Sequence, residues 1–378
     1  MASRTRVGVI GCGLIAQVMH LPYLAELSDR FELAALCDLS EDVLAACQDR
    51  YRVERGTTDW EELVAEPLDA VLVLTSGNHA PMAVAAADAG LHVFVEKPMA
   101  ISASEGARMV AAARSAGVQL MVGTMKRYDP AYERLIELLP TLADVRLVRA
   151  TTLESPLEPY VAHYPLTRPG APVASAVVAA MLAEEERHLD AALGRDADAD
   201  TRWCYRNILL DNLVHELNML RGALGEPTAV SFASLERHRV AIHLSFGATD
   251  CHLSWVDLPG IARYRQELAF YAPDGRLVLT LPSPFLRSAP SLLTIEGGEA
   301  GTPHAWEREE VVAFDEAFKR ELLVFHDAIL TGAEPRTAGL DGLRDLHLCE
   351  AIARVQLGGE PIADPTALPA AVAAPGGG

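Results

Sequence analysis

Apolar residues in the first third of the chain fall into short, nearly continuous runs at 7–10, 31–36, 70–74, 93–95 and 119–122. Between them lie stretches of helical periodicity such as "LIAQVMHLPYLAEL", "SEDVLAACQDRY" and "SASEGARMVAAARSAG". Ser102 is placed to start a helix, and Gly90 and Gly117 to end one. Continuous apolar strands alternating with helices predict a parallel sheet covered on both faces. Right-handed crossovers then make it doubly wound.

The pattern changes after about Tyr128. "DVRLVRATTLES", "PTAVSFASLERH", "VAIHLSFGA", "DCHLSWVDL", "QELAFYAPDGRLVLTL" and "LLTIEGG" read as strands with no helices between most of them. Ala272 to Gly275 reads as a hairpin turn. This predicts a mostly antiparallel sheet, with helices expected at about 209–224 and 340–357. The fold class is α/β: a doubly wound domain at 1–127, followed by an α+β domain at 128–364. Residues 155–205 begin rich in proline and turn helical up to Gly194, and read as an excursion over a site. Residues 365–378 read as a disordered tail.

Composition narrows the partners. The chain has 378 residues, a formal net charge of −20, 50% hydrophobic and 22% charged residues. That balance suits a soluble protein and disfavours nucleic acid and anionic membranes, which need clustered Lys and Arg. Six scattered cysteines without a CxxC pair support neither a disulfide framework nor a metal site. No apolar leader is evident and no run is long enough to span a bilayer, so a cytoplasmic location is expected.

Two segments carry chemistry. "VGVIGCGLIA" places Gly11, Gly13, Leu14, Ile15 and Ala16 in a GxGxxA turn between a predicted strand and a predicted helix. Gly11 permits the turn, Gly13 admits a pyrophosphate, and Ala16 keeps the helix near the sheet. Asp38, ending the second strand, should accept bonds from an adenosine ribose and repel a 2′-phosphate. NAD is therefore favoured over NADP; the alternative for Asp38 is a helix cap. The second segment, "VFVEKPMA", ends a core strand with Glu96, Lys97 and Pro98. Active clefts in doubly wound sheets lie beyond such strand ends.

Together with "TSGNH", "KRYDPAY" and "LLDNLVHELNML", these segments resemble the glucose–fructose oxidoreductase / inositol dehydrogenase / MocA family. The resemblance implies that Lys97 sits beside the nicotinamide and that Thr75, Asn78, His79 and Glu96 line the cofactor cleft. It makes Asp211 and His215 a catalytic pair at i, i+4 on one helical face, with Arg127 and Tyr128 flanking the substrate; the alternative for Tyr128 is core packing. A cis Lys97–Pro98 bond is expected as well. The glycines that family members commonly carry before the Asp are replaced here by "CYRNILLD".

The expected activity is NAD-dependent hydride transfer between nicotinamide and a secondary alcohol or ketone of a sugar or cyclitol. His215 is favoured as proton acceptor, with Lys97 the alternative. Two other readings stay open: a redox-assisted lyase or glycosidase with retained NAD, and a non-catalytic NAD-binding regulator. The expected partners are a small sugar or polyol and a second copy of the chain, as a homodimer or homotetramer through the C-terminal sheet.

Overall fold

A computed structural model describes residues 4–173 and 175–368. The first sheet contains β1 (Thr5–Ile10), β2 (Phe31–Cys37), β3 (Arg55–Thr57), β4 (Ala70–Val73), β5 (His92–Glu96) and β6 (Leu120–Gly123). Its order is β3-β2-β1-β4-β5-β6 and every pairing is parallel. The chain winds one way from β1 to β3 and the other way from β1 to β6. The groove at the carboxyl ends of β1 and β4 is therefore the topological switch point. β1, β4, β5 and β6 are buried almost throughout, which is why they read as continuous apolar runs.

The second sheet contains β7 (Leu147–Glu154), β8 (Ala229–Glu236), β9 (Arg239–Phe246), β10 (Thr249–Asp257), β11 (Arg265–Ala272), β12 (Gly275–Leu281), β13 (Leu292–Gly298), β14 (Ala305–Val311) and β15 (Ile362–Ala363). They run in the order β14-β13-β12-β11-β7-β10-β9-β8-β15. Among the described residues only β7 and β10 pair in parallel here, so the sheet is mixed and mostly antiparallel. Ala272 faces Gly275 across the expected hairpin turn.

Sequence periodicity missed β3 and β14, and for one reason. Both are exposed, so neither carries a buried alternating face. β14 is an edge strand with Glu307, Arg308, Glu309 and Glu310, the charge pattern that discourages edge-to-edge pairing. The helix Ala317–Thr331 was also missed, although Phe318, Leu322 and Phe325 keep helical spacing. Those three residues pack in one core with Val7, Val9, Met19 and Phe94, so a late element completes the first sheet's cover. The helix Gly339–Gly358 likewise packs on the helix Ala103–Ala116 and on β8, spanning both sheets.

The excursion contains the short helix Glu158–Val161, the helix Ser175–Leu193 and the turn Ala199–Cys204. Of the expected tail, Pro365 and Thr366 are buried, and 369–378 lie outside the described residues. All six cysteines are buried and free. No described helix is long and apolar enough to cross a membrane.

Candidate active site where the two sheets meet

The glycine turn is shaped for close approach. Gly11 has φ +95°, and a Cβ there would stand 2.7 Å from the Thr75 amide nitrogen. A Cβ on Gly13 would meet nothing within 4 Å, which leaves room on the outer side of the turn. Ala16 is fully buried, and Leu14 and Ile15 pack against the adjacent core. The chain then makes a π-helical turn, Ala16–His20, before the α-helix Leu21–Glu26. Asp38 accepts from the backbone N–H of Cys12 and of Ser40, at 2.8 Å each, and so braces the turn. A dinucleotide fits this set: an open cradle at Gly13, and a carboxylate at the end of β2.

At the end of β5 the alternation of the strand separates Glu96 from Lys97. Lys97 reaches across to the helix that begins at Tyr205. Its Nζ donates to the Asp211 carbonyl at 2.7 Å and to the Asp211 carboxylate at 2.9 Å. The Lys97–Pro98 bond is cis. The helix is π-helical over Tyr205–Leu213 and α-helical over Val214–Leu224. The Asp211 carbonyl that accepts from Lys97 lies just before this change of helical bonding.

The Lys97 ammonium holds the Asp211 carboxyl below its ordinary pKa. One turn on, His215 is buried, and its Nδ1 has no hydrogen-bond partner. Burial, together with the positive charges of Lys126 and Lys97, pushes its pKa well below the ordinary imidazole value. The ring is therefore neutral near pH 7.

The structure corrects four expectations about the cleft. Glu96 does not line it: its carboxylate is buried, with Oε1 2.6 Å from His20 Nε2 and Oε2 accepting from the Lys97 N–H. It faces Glu321, and side-chain polar atoms of His20, Glu96 and Glu321 lie within 4.8 Å of one another. His79 is also interior, bridging the Thr75 carbonyl at 2.6 Å and the Pro98 carbonyl at 2.8 Å. It ties the end of β4 to the turn after β5, and burial lowers its pKa.

Arg127 and Tyr128, expected beside a substrate, are engaged with the surrounding protein. They lie in a 3₁₀ turn, Met125–Tyr128, whose successive side chains diverge by about 120°. Arg127 turns toward the Asn218 carbonyl at 3.1 Å and toward Gly222. Tyr128 is fully buried, with its hydroxyl 2.9 Å from Thr337 Oγ1. Thr75 and Asn78 remain at the rim. Thr75 Oγ1 is buried without a partner, and Asn78 reaches the excursion helix at Glu184.

The residue of that turn that enters the site is Lys126, which periodicity did not single out. It is buried and donates to Gln266 Oε1, with the Tyr264 hydroxyl at 3.3 Å. Burial lowers its pKa to about 8, against the pull of Glu216 and Glu154. Glu216 takes the Thr152 hydroxyl on Oε1 and leaves Oε2 without a partner; Gln266 Nε2 is likewise free. A signal was present: Lys126 follows β6 as Lys97 follows β5. Gln266 and Glu216 come from a different sheet and helix, and nothing local links them to it.

Residues 5–124 match the profile described as "Oxidoreductase family, NAD-binding Rossmann fold". Over those residues the chain matches the Gfo/Idh/MocA oxidoreductase family. The chain is 25% identical to myo-inositol 2-dehydrogenase of Thermotoga maritima over 363 residues, 91% of this chain and 93% of that protein. It is 34% identical to inositol 2-dehydrogenase of Salmonella paratyphi B over 134 residues, 34% of this chain and 40% of that one. A levoglucosan dehydrogenase solved with NADH and levoglucosan shares the fold, with TM-score 0.74, 18% identity, and 96% and 100% of the two chains covered.

Proposed function

We propose that this oxidoreductase interconverts a secondary alcohol and a ketone on a sugar, a cyclitol or a derivative, with NAD as the favoured partner. The observation that carries this reading is the meeting of Lys97, from the first sheet, with Asp211 on the helix that bears His215. The related dehydrogenases and the dinucleotide-shaped turn support it. A dinucleotide would supply the hydride acceptor or donor, and the glycine turn at Gly13 and Asp38 are the residues that would hold it.

The chain's own residues do the proton and charge work. The Lys97 ammonium is aimed at the rim, where it can donate to the reacting oxygen and stabilise alkoxide charge as it develops. His215 is neutral by burial and has a ring nitrogen ready to take the hydroxyl proton, then return it in the reverse direction. Asp211 holds Lys97 in place through carboxylate and carbonyl together. Lys126, Glu216 and Gln266 offer donors and acceptors of both kinds, which suits a ligand with several hydroxyl groups. NAD over NADP rests on Asp38: a unit charge about 4 Å from a 2′-phosphate costs about 1–4 kcal/mol across the usual dielectric range.

The test is absorbance at 340 nm with NAD and a panel of inositols and aldoses. Net NADH formation with one of them supports the reading. Substrate consumption without net NADH replaces it with a redox-assisted lyase, and NAD binding without turnover replaces it with a regulator.

A further inference from the structure

The excursion at 155–205 supplies none of the catalytic groups, yet it is bonded to the first domain at Gln17, Asp42, Arg50, Asn78 and Glu105. At the pyrophosphate end, Gln17 lies one turn beyond Gly13. Its Nε2 donates both to the Cys12 carbonyl, in the turn, at 2.8 Å and to the Thr167 carbonyl, in the excursion, at 2.9 Å. Its Oε1 accepts from the Thr167 N–H at 2.9 Å, so a buried amide is satisfied by the turn and the excursion together.

At the ribose end, Asp42 stands four residues beyond Asp38 and accepts from the Gly170 N–H at 3.1 Å. Arg50, on the same helix, donates to the Pro165 carbonyl at 2.7 Å. At the far end of the groove, Asn78 donates to Glu184 at 3.3 Å, and His188 stands 3.0 Å from the buried Glu105 carboxylate. A segment that served only to fill surface would need no anchors at three successive stations of one groove.

We propose that the excursion is a clasp that retains the dinucleotide; the presence of that ligand rests on the proposed function. Its strap at 164–170 crosses the pyrophosphate and ribose stations, and the helix Ser175–Leu193 latches beside Asn78. Departure of the cofactor requires these anchors to open, so the barrier to release includes hydrogen bonds that the ligand itself does not make. The clasp slows dissociation more than it tightens contact, because the anchors join protein to protein.

Two measurements on the full-length protein decide this. In the first, NADH is displaced from the protein by excess NAD while its fluorescence is followed. The variant Asp42→Ala/His188→Ala, which opens one anchor at each end, is expected to release NADH at least about tenfold faster than the parent, as the loss of about two hydrogen bonds implies. An unchanged rate in a variant that still binds NADH overturns the clasp.

In the second, amide exchange of the peptide spanning 164–170 is measured in the unaltered protein, with and without NADH. Slower exchange with NADH is expected at Thr167 and Gly170, whose N–H groups anchor the strap. Equal exchange overturns the clasp even if the double variant fails to fold. A parent protein that binds no dinucleotide at all overturns the functional reading instead, which separates the two failures.

Discussion

Lys97→Ala separates catalysis from stability, because the geometry assigns this residue almost no role in holding the fold. Its ammonium makes two bonds to Asp211, at 2.7 and 2.9 Å, yet the Asp211 side chain is 54% exposed. Water can therefore replace the lost partner. An ion pair of this exposure contributes about 0–1 kcal/mol, so the melting temperature should fall by no more than a few degrees.

The kinetic loss should be far larger. Removing one preorganised donor to a developing oxyanion costs about 2.7–4 kcal/mol, or about 10²–10³ in kcat. NAD affinity should change little, since the glycine turn and Asp38 are untouched. The assay is steady-state NADH formation at 340 nm, with NADH titration by fluorescence and thermal unfolding as controls. Lys97→Arg keeps the charge and should recover only part of the rate, because a wider fork cannot occupy the same two-bond site. A kcat within fivefold of the parent would refute the reasoning, as would a tenfold loss of NAD affinity at unchanged kcat.

His215→Asn should lower kcat by about 10²-fold or more. In the parent, the acid limb of the kcat profile should lie below pH 6.5, because burial and two neighbouring ammonium groups keep the imidazole neutral; a limb at or above 6.5 contradicts that. Lys126 loses its proton near pH 8, so KM should rise above that pH, and Lys126→Met should raise KM at pH 7 and flatten the rise. Gly13→Val should leave the melting temperature nearly unchanged, since its Cβ meets no neighbour, while weakening NADH binding at least about tenfold by fluorescence titration. Glu321, buried with no partner for either oxygen, has its pKa raised by burial and by Glu96 and Glu316. A raised carboxyl destabilises the fold as pH climbs above 4.5, where the unfolded chain ionises first. Glu321→Gln should therefore raise the melting temperature at pH 7, with the gain vanishing below pH 4.5.

Most of the shape of the glycine turn was legible in the sequence. Gly11, Gly13, Ala16 and Asp38 are close along the chain, and the strand–turn–helix around them leaves the turn little choice of shape. Lys97 was legible for the same reason, as a charge placed directly after a buried strand. The errors fell where a side chain's direction depends on a distant element. Glu96 turned inward because His20 and the Lys97 N–H bond it there, and His79 because Thr75 and Pro98 offer it two carbonyls. Arg127 lost its assigned place to Lys126 because a 3₁₀ turn rotates neighbours apart by about 120°, and only one of them can face the cleft.

Local sequence thus determined the two-sheet architecture, the glycine turn and the strand end that carries Lys97, because apolar periodicity and turn chemistry act over a few residues. Tertiary structure decided the rest. Lys97 meets Asp211 across 114 positions of the chain, and Lys126, Glu216 and Gln266 converge from three separate elements. The excursion is anchored to Gln17, Asp42 and Asn78. Such contacts join positions far apart along the chain, so no window of sequence contains both partners.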